Sequence, residues 1–142
     1  MPRTGTKKTT ASKKTSPAKP ALTGAWQAYA RFLASRREAR GDQTLPRLDA
    51  MEERVFEALA ACWGEGRPVT VLQAMSMTGE ASPTTVHRRL KSLRKKDLIR
   101  LHEDETDNRI KFIHATDAGM AYLDQLGVSM KEAIAQPASP EA

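Results

Sequence analysis

The stretch SPTTVHRRLKSLRKKDLIR, residues 82–100, decides the fold. It holds seven Lys or Arg residues and a single acid, Asp97, yet Val86, Leu90, Leu93 and Leu98 are spaced like a buried seam. Ser82 is a good N-cap and Pro83 suits the first helical position, which predicts a helix over residues 83 to about 96. With Val86 turned to a core, Leu90 and Leu93 lie within about 40° of it on the helical wheel. Thr84, Arg88, Lys91 and Lys95 then gather on the opposite side. The seam attaches the helix to the domain, and the other face points outward with cations and small hydroxyls.

Such a face suits a DNA major groove, where residues of a helix's N-terminal half reach base edges. Arg88 can pair bidentately with guanine, and Thr84 or Thr85 can touch a thymine methyl or a phosphate. Arg89, Lys91, Lys95 and Lys96 suit phosphates and would set register. Ser82 and His87 belong to the same candidate surface. A plainer reading stays open at this point: Lys and Arg merely solvate a helix face.

The neighbours of this helix narrow the choice. Upstream, Thr70 caps a short helix in VLQAMSMTG, with Val71, Leu72 and Met75 turned inward, and a tight turn covers residues 79–81. RPVT, before it, reads as a very short strand. Downstream, DLIRLHE and RIKFIHAT alternate in polarity around the Asp-rich turn DETDN, which predicts a hairpin. Short helix, turn, basic helix, hairpin is the order of a helix-turn-helix followed by a wing. The hairpin tip is acidic apart from Arg109. That pattern makes sense if Asp107 holds the Arg109 guanidinium, because an oriented arginine can enter the narrow minor groove. An ordinary solvated turn with an incidental ion pair is the alternative.

Further out lie three more helices. ALTGAWQAYARFLASRREAR has Thr23 as a candidate N-cap and Gly41 as a stop, with Trp26, Tyr29, Phe32 and Leu33 as its apolar stripe. In LDAMEERVFEALAACWGEG, Asp49 with Glu52 and Glu53 forms a capped first turn. Met51, Val55, Leu59 and Cys62 make its inner face, with Phe56, Leu48 and Trp63 beside it. Thr116 caps DAGMAYLDQLGVSMKEAIA, where Met120, Leu123, Met130 and Ile134 share a side and Gly127 is a candidate bend. The stripes of the first and last helices lie outside the helix-turn-helix unit. They satisfy each other within one chain or pack across a twofold axis.

The fold class that results is mainly α with a small β-hairpin, a winged helix-turn-helix with terminal dimerisation helices. It is predicted over residues 21–136, between a disordered basic tail at 1–20 and a loose end at 137–142. The 142 residues suit one domain of ordinary size, and hydrophobic residues make up 39% of them. The net charge is +6, and residues 1–20 carry six positive charges and no acid, so 17 basic and 17 acidic residues remain in the body. The tail is a nucleic-acid-binding arm or a solubilising leader. The lone cysteine, Cys62, excludes an internal disulfide and reads as core. No apolar run approaches the roughly 20 residues that cross a bilayer, so no membrane partner is expected and the expected location is the cytoplasm, on a bacterial nucleoid. No metal or cofactor is expected: His87, His102 and His114 match no ligand spacing. No phosphate-cradling Gly loop or nucleophile–base arrangement is present, so the chain does not read as an enzyme.

Residues 50–126 resemble the MarR family of bacterial winged-helix regulators. The likeness runs through SPTTVHRRLKSLRKKDLI and then DETDNRIKFIHATDAG, where Asp107, Arg109, Ile113, Thr116 and Gly119 match the family's Asp-x-Arg, strand, Leu-Thr-x-x-Gly pattern. Ala115 stands where Leu is usual. The resemblance implies double-stranded DNA as partner, a homodimer formed by the first and last helices, one recognition helix per major groove of a near-palindromic site, and Arg109 as the wing arginine. An unidentified small-molecule effector at the dimer junction is compatible with it. Asp97 stands where the family has Gly, Leu101 replaces a common Arg at the wing base, and the family's final helix is missing or reduced. The expected function is that of a sequence-specific transcriptional regulator, a repressor more than an activator. A nucleoid protein of little sequence preference, or a winged helix that binds proteins, are the alternatives.

Overall fold

A computed structural model describes residues 24–79 and 81–135. The elements run α1 (Trp26–Arg40), α2 (Ala50–Gly64), α3 (Val71–Ala74), α4 (Pro83–Lys95), β1 (Ile99–Glu103), β2 (Lys111–Ala115) and α5 (Asp117–Ala135). This is the expected order, mainly helical with one antiparallel hairpin. The two tails lie outside the described residues, as does Thr23. Helix α1 begins at Trp26 with no side-chain cap, and Gly41 after it keeps a right-handed φ of −84°, so no left-handed stop ends it.

The core forms where α2, α4 and the hairpin meet. Val55, Phe56, Leu59 and Cys62 of α2 and Val86, Leu90 and Leu93 of α4 are buried, together with Leu98, Ile99 and Ile113. The apolar spacing read from the two helices is therefore the spacing that packs. Trp63 closes one side, its indole N–H donating to the Ile113 carbonyl at 3.1 Å. Phe56 meets both Trp63 and Tyr122 edge to face.

Local chemistry sets the boundaries. Asp49 and Glu52 form a reciprocal capping box at α2, and Thr70 and Gln73 form another at α3. The Ser82 hydroxyl accepts from the Thr85 amide, and Pro83 occupies the first turn of α4. Helix α4 ends in a Schellman turn: Leu98 N–H bonds the Leu93 carbonyl, Asp97 N–H bonds that of Arg94, and Asp97 takes φ +64°. The departure of Asp97 from glycine thus leaves the backbone geometry that glycine serves.

Strand β1 pairs with β2 in the register Leu101 to Ile113 and Arg100 to His114. The predicted RPVT strand is reduced to one bridge between Thr70 and Phe112, with the Ile113 N–H donating to the Val69 carbonyl at 2.8 Å. Thr116 ties the hairpin to α5. Its hydroxyl accepts from the Gly119 amide and donates to the Asp97 carbonyl. A Cβ on Gly119 would stand 2.1 Å from the Leu98 carbonyl oxygen, so only glycine lets α5 pass the exit of α4 this closely.

One inward assignment is corrected. Leu72 is 79% exposed; Ala74 is the buried residue of α3, because one turn is too short to bury two faces. On α5 the buried side carries Gly119, Tyr122 and Ala133, with Leu123 and Leu126 packed beside it, while Met120, Met130 and Ile134 are exposed. The helix runs unbroken through Gly127. Helix α1 buries no residue fully but packs along α5 in the same chain, where the Arg31 guanidinium donates to the Ala133 carbonyl at 2.9 Å.

Candidate nucleic-acid interface

Helix α4 positions the candidate side chains in three groups. Thr84, His87, Arg88, Lys91 and Lys95 are exposed, opposite the seam. Arg94 joins them, and it lines one shallow surface with Lys91 and Lys95. The spacing of 91, 94 and 95 on one helical wheel was the signal for it. Ser82 is exposed, but its hydroxyl is engaged in the cap and donates to the Thr85 hydroxyl at 3.0 Å. Thr85 is half-buried against it.

Arg89 and Lys96 form the third group and turn inward, away from the outer face. The Arg89 Nε lies 3.3 Å from a carboxylate oxygen of Asp49, an ion pair without hydrogen-bond alignment. The Lys96 ammonium donates to Glu52 at 2.7 Å and to the Arg47 carbonyl at 2.7 Å. Glu52, 2% exposed, also accepts from the Ser92 hydroxyl and from the Asp49 amide. One buried carboxylate thus pins the C-terminal half of α4 to the start of α2. Burial pushes the Glu52 carboxyl up, but the bonds from Lys96, Ser92 and Asp49 together hold it below its ordinary value. Sequence reasoning gave Glu52 to the capping box, which is right, and missed the second task. Ser92 and Lys96, four residues apart on α4, were its partial signal.

The wing tip is built by its acids. Asp104 accepts from the amide and hydroxyl of Thr106 and from the Asp107 amide. Asp107 accepts from the Arg109 amide and takes its guanidinium bidentately, Nε at 3.0 Å and an Nη at 2.9 Å. The Arg109 side chain bonds first, then its amide, hold the Asp107 carboxyl below its usual range; the same contact pushes the guanidinium up. Arg109 remains 87% exposed. The fork therefore fixes direction without hiding the cation. Lys111 pairs with Glu103 at 2.9 Å.

Helix and wing face the same way. Thr84 and His87 of α4, and Arg109 and Lys111 of the hairpin, line a single groove of about 870 Å3, floored by Val71 and Leu101. On the far side of the hairpin, the rings of His102 and His114 meet edge to face at 5.9 Å. Burial, and then the charges of Arg100 and His102, push the His114 imidazole down. Among the described residues no group of three or more His, Cys, Asp or Glu can hold a metal ion, and no helix is long and apolar enough to cross a membrane.

The candidate dimer residues separate in the same manner. Trp26, Tyr29 and Leu33 of α1 and Met130 and Ile134 of α5 are exposed, Tyr29 at 62% and Ile134 at 64%. Phe32 is half-buried, and Leu123 packs against the chain's own core. A second cavity, about 320 Å3, opens beside these helices between Arg36, Arg40, Leu48, Tyr122 and Leu126. Burial, then Glu53, pushes the Tyr122 phenol up there.

The basic helix α4, the hairpin after it and α1 laid on α5 make a winged helix-turn-helix, a fold shared with solved transcriptional regulators. The chain is similar in fold to MepR of S. aureus, solved as a DNA complex, at TM-score 0.58 and 16% identity over 75% of this chain and 82% of that one. It is similar to the transcriptional regulator Tm0710 from Thermotoga maritima, at TM-score 0.56 and 17% identity over 77% and 68%. It is also similar to the YusO protein from Bacillus subtilis, at TM-score 0.51 and 19% identity over 78% and 70%. No family model and no curated protein matches the sequence.

Proposed function

We propose that the chain is a sequence-specific regulator of transcription that binds double-stranded DNA as a homodimer and represses by occupying a promoter site. The observation that carries this reading is the convergence of Thr84, His87 and Arg109 on one groove, with Arg109 aimed by Asp107. It puts a cationic helix and an oriented arginine on the same side of the molecule, as a duplex with adjacent major and minor grooves requires. Arg88 reads guanine; Lys91, Arg94 and Lys95 neutralise phosphates; Thr84 and His87 contact the backbone or base edges; Ser82 and Thr85 hold the helix start. No covalent chemistry is involved. The DNA-bound state of MepR, a fold neighbour, supports the assignment of partner.

The exposed stripe from Trp26 to Leu33 on α1, with Met130 and Ile134 on α5, supports a twofold mate. A twofold dimer places two recognition helices about 34 Å apart, one helical turn of DNA, and so reads a near-palindrome. The cavity at Arg36, Arg40 and Tyr122 is a site for a small-molecule effector. Such a ligand acts only by binding better to one spacing of the two helices.

Selection of bound fragments from random duplexes tests the reading. Enrichment of one near-palindrome is expected, and Arg88→Ala should relax preference at one base pair per half-site. No enrichment, or a preference untouched by Arg88→Ala, would overturn it.

A further inference from the structure

The groove between helix and wing has a character that cation counting does not explain. Its rim carries two large apolar side chains in water, Leu72, 79% exposed, and Ile110, 39% exposed. Val71 and Leu101 floor it, and its polar lining is Thr70 and Gln73 at the start of α3, Thr84 and His87 of α4, and Arg109 and Lys111 of the hairpin. Leu101 occupies this floor opposite Ile113 of the paired strand. A surface meant only for phosphate oxygens gains nothing from such a lining.

What fits it follows from duplex geometry. If α4 enters a major groove and Arg109 the neighbouring minor groove, the space between them holds one sugar–phosphate strand. Along that strand anionic phosphates alternate with deoxyriboses, whose 2′ position is a bare methylene. We infer that this groove seats that strand, with Leu72 and Ile110 packed against consecutive deoxyriboses while Thr84, His87 and Lys111 meet the intervening phosphates. The inference rests on the DNA-binding reading above and adds a second layer to it, in which the chain discriminates deoxyribose from ribose by apolar contact. A 2′-hydroxyl placed against Leu72 would lose its water without gaining a partner.

The test uses the full chain and the duplex recovered by selection, with single ribonucleotides placed in turn along each strand, and binding read by fluorescence anisotropy over a salt series. Wild-type protein should bind about tenfold more weakly when the ribose falls between the helix and wing footprints, and normally when it falls outside them. Leu72→Ala should bind the all-DNA site about tenfold more weakly, equivalent to about 1.4 kcal/mol. Its salt slope should be unchanged, because no charge is removed, and its discrimination against the internal ribose should be lost. Leu72 is exposed, so thermal denaturation of the variant should match wild type. If Leu72→Ala and the ribose substitutions leave affinity unchanged while Arg88→Ala weakens it, the seat is refuted and the DNA reading stands. That outcome would hand the groove to an apolar peptide. If Arg88→Ala is also without effect, both fall.

Discussion

Replacing Glu52 should do more damage than any surface charge in the chain. Its carboxylate is 2% exposed and accepts from Lys96, Ser92 and the Asp49 amide. Hydrogen bonds to charged groups contribute roughly 1.5–3 kcal/mol each, so three represent a gross loss of about 5–9 kcal/mol. Relief of carboxylate desolvation returns several of those. Lys96 is 34% exposed and keeps the Arg47 carbonyl, so its ammonium is not stranded in Glu52→Ala. The net cost should be about 3 kcal/mol, at the low end for breaking a buried pair. Glu52→Gln keeps the shape and some bonds and should cost about half as much. Urea denaturation followed by circular dichroism at pH 7 measures both. The sign of the pH dependence is fixed by the lowered carboxyl. The stabilisation is complete above the unfolded value, about 4.3, and is lost as pH falls through the lower folded value. The gap between wild type and Glu52→Gln should therefore close in acid. Lys96→Met combined with Glu52→Met should cost less than the sum of the two single changes. Additive single changes, or a gap independent of pH down to acid, would show that the clamp is not an energetic unit.

Asp97→Gly should stabilise the chain by up to about 1 kcal/mol, since a side chain at φ +64° is strained where glycine is not; a lower midpoint in urea would refute the Schellman reading. Gly119→Ala should cost about 3 kcal/mol or more, because its Cβ would collide with the Leu98 carbonyl at 2.1 Å and the backbone must move; an unchanged melting temperature would count against the close approach. Asp107→Ala should weaken DNA binding in anisotropy at fixed salt, although it removes a negative charge, because Arg109 loses its bidentate anchor; tighter binding would overturn the orienting role.

How much of this could be read from residues alone depended on where a signal was local. The α4 seam, the Asp49 and Thr70 caps and the hairpin all follow from local spacing, and all lie where their patterns put them. Leu72 was misassigned because an apolar residue in a one-turn helix has no periodicity to orient it. On α5 the apolar residues run around more than one face, so Met120 and Ile134 gave no warning that Tyr122 and Ala133 face inward. Arg89 and Lys96 looked like phosphate ligands because their partners, Asp49 and Glu52, lie about forty residues away. That distance is invisible to helical spacing.

The placement of the acids gives the charge pattern its sense. In a body with as many acids as bases, the acids do not simply cancel the cations. Glu53 and Glu57 hold Arg36, and Glu53 also holds Arg40, which fixes α1 against α2. Glu52 and Asp49 take the row of α4 cations that faces α2. Asp107 takes Arg109 yet leaves it open to water. Among the described residues Arg88, Lys91, Arg94 and Lys95 make no ion pair, and all four are exposed on α4. Two kinds of cation result. The unpaired ones on α4 are long and exposed and suit diffuse phosphate charge, where counterion release rewards number more than direction. The single paired arginine on the wing gives up part of its field to its carboxylate and gains an orientation, which is what a narrow groove demands. On the proposed DNA-binding reading, an acidic wing tip beside a basic helix is therefore one device and not a contradiction: the helix supplies attraction, and Asp107 supplies aim.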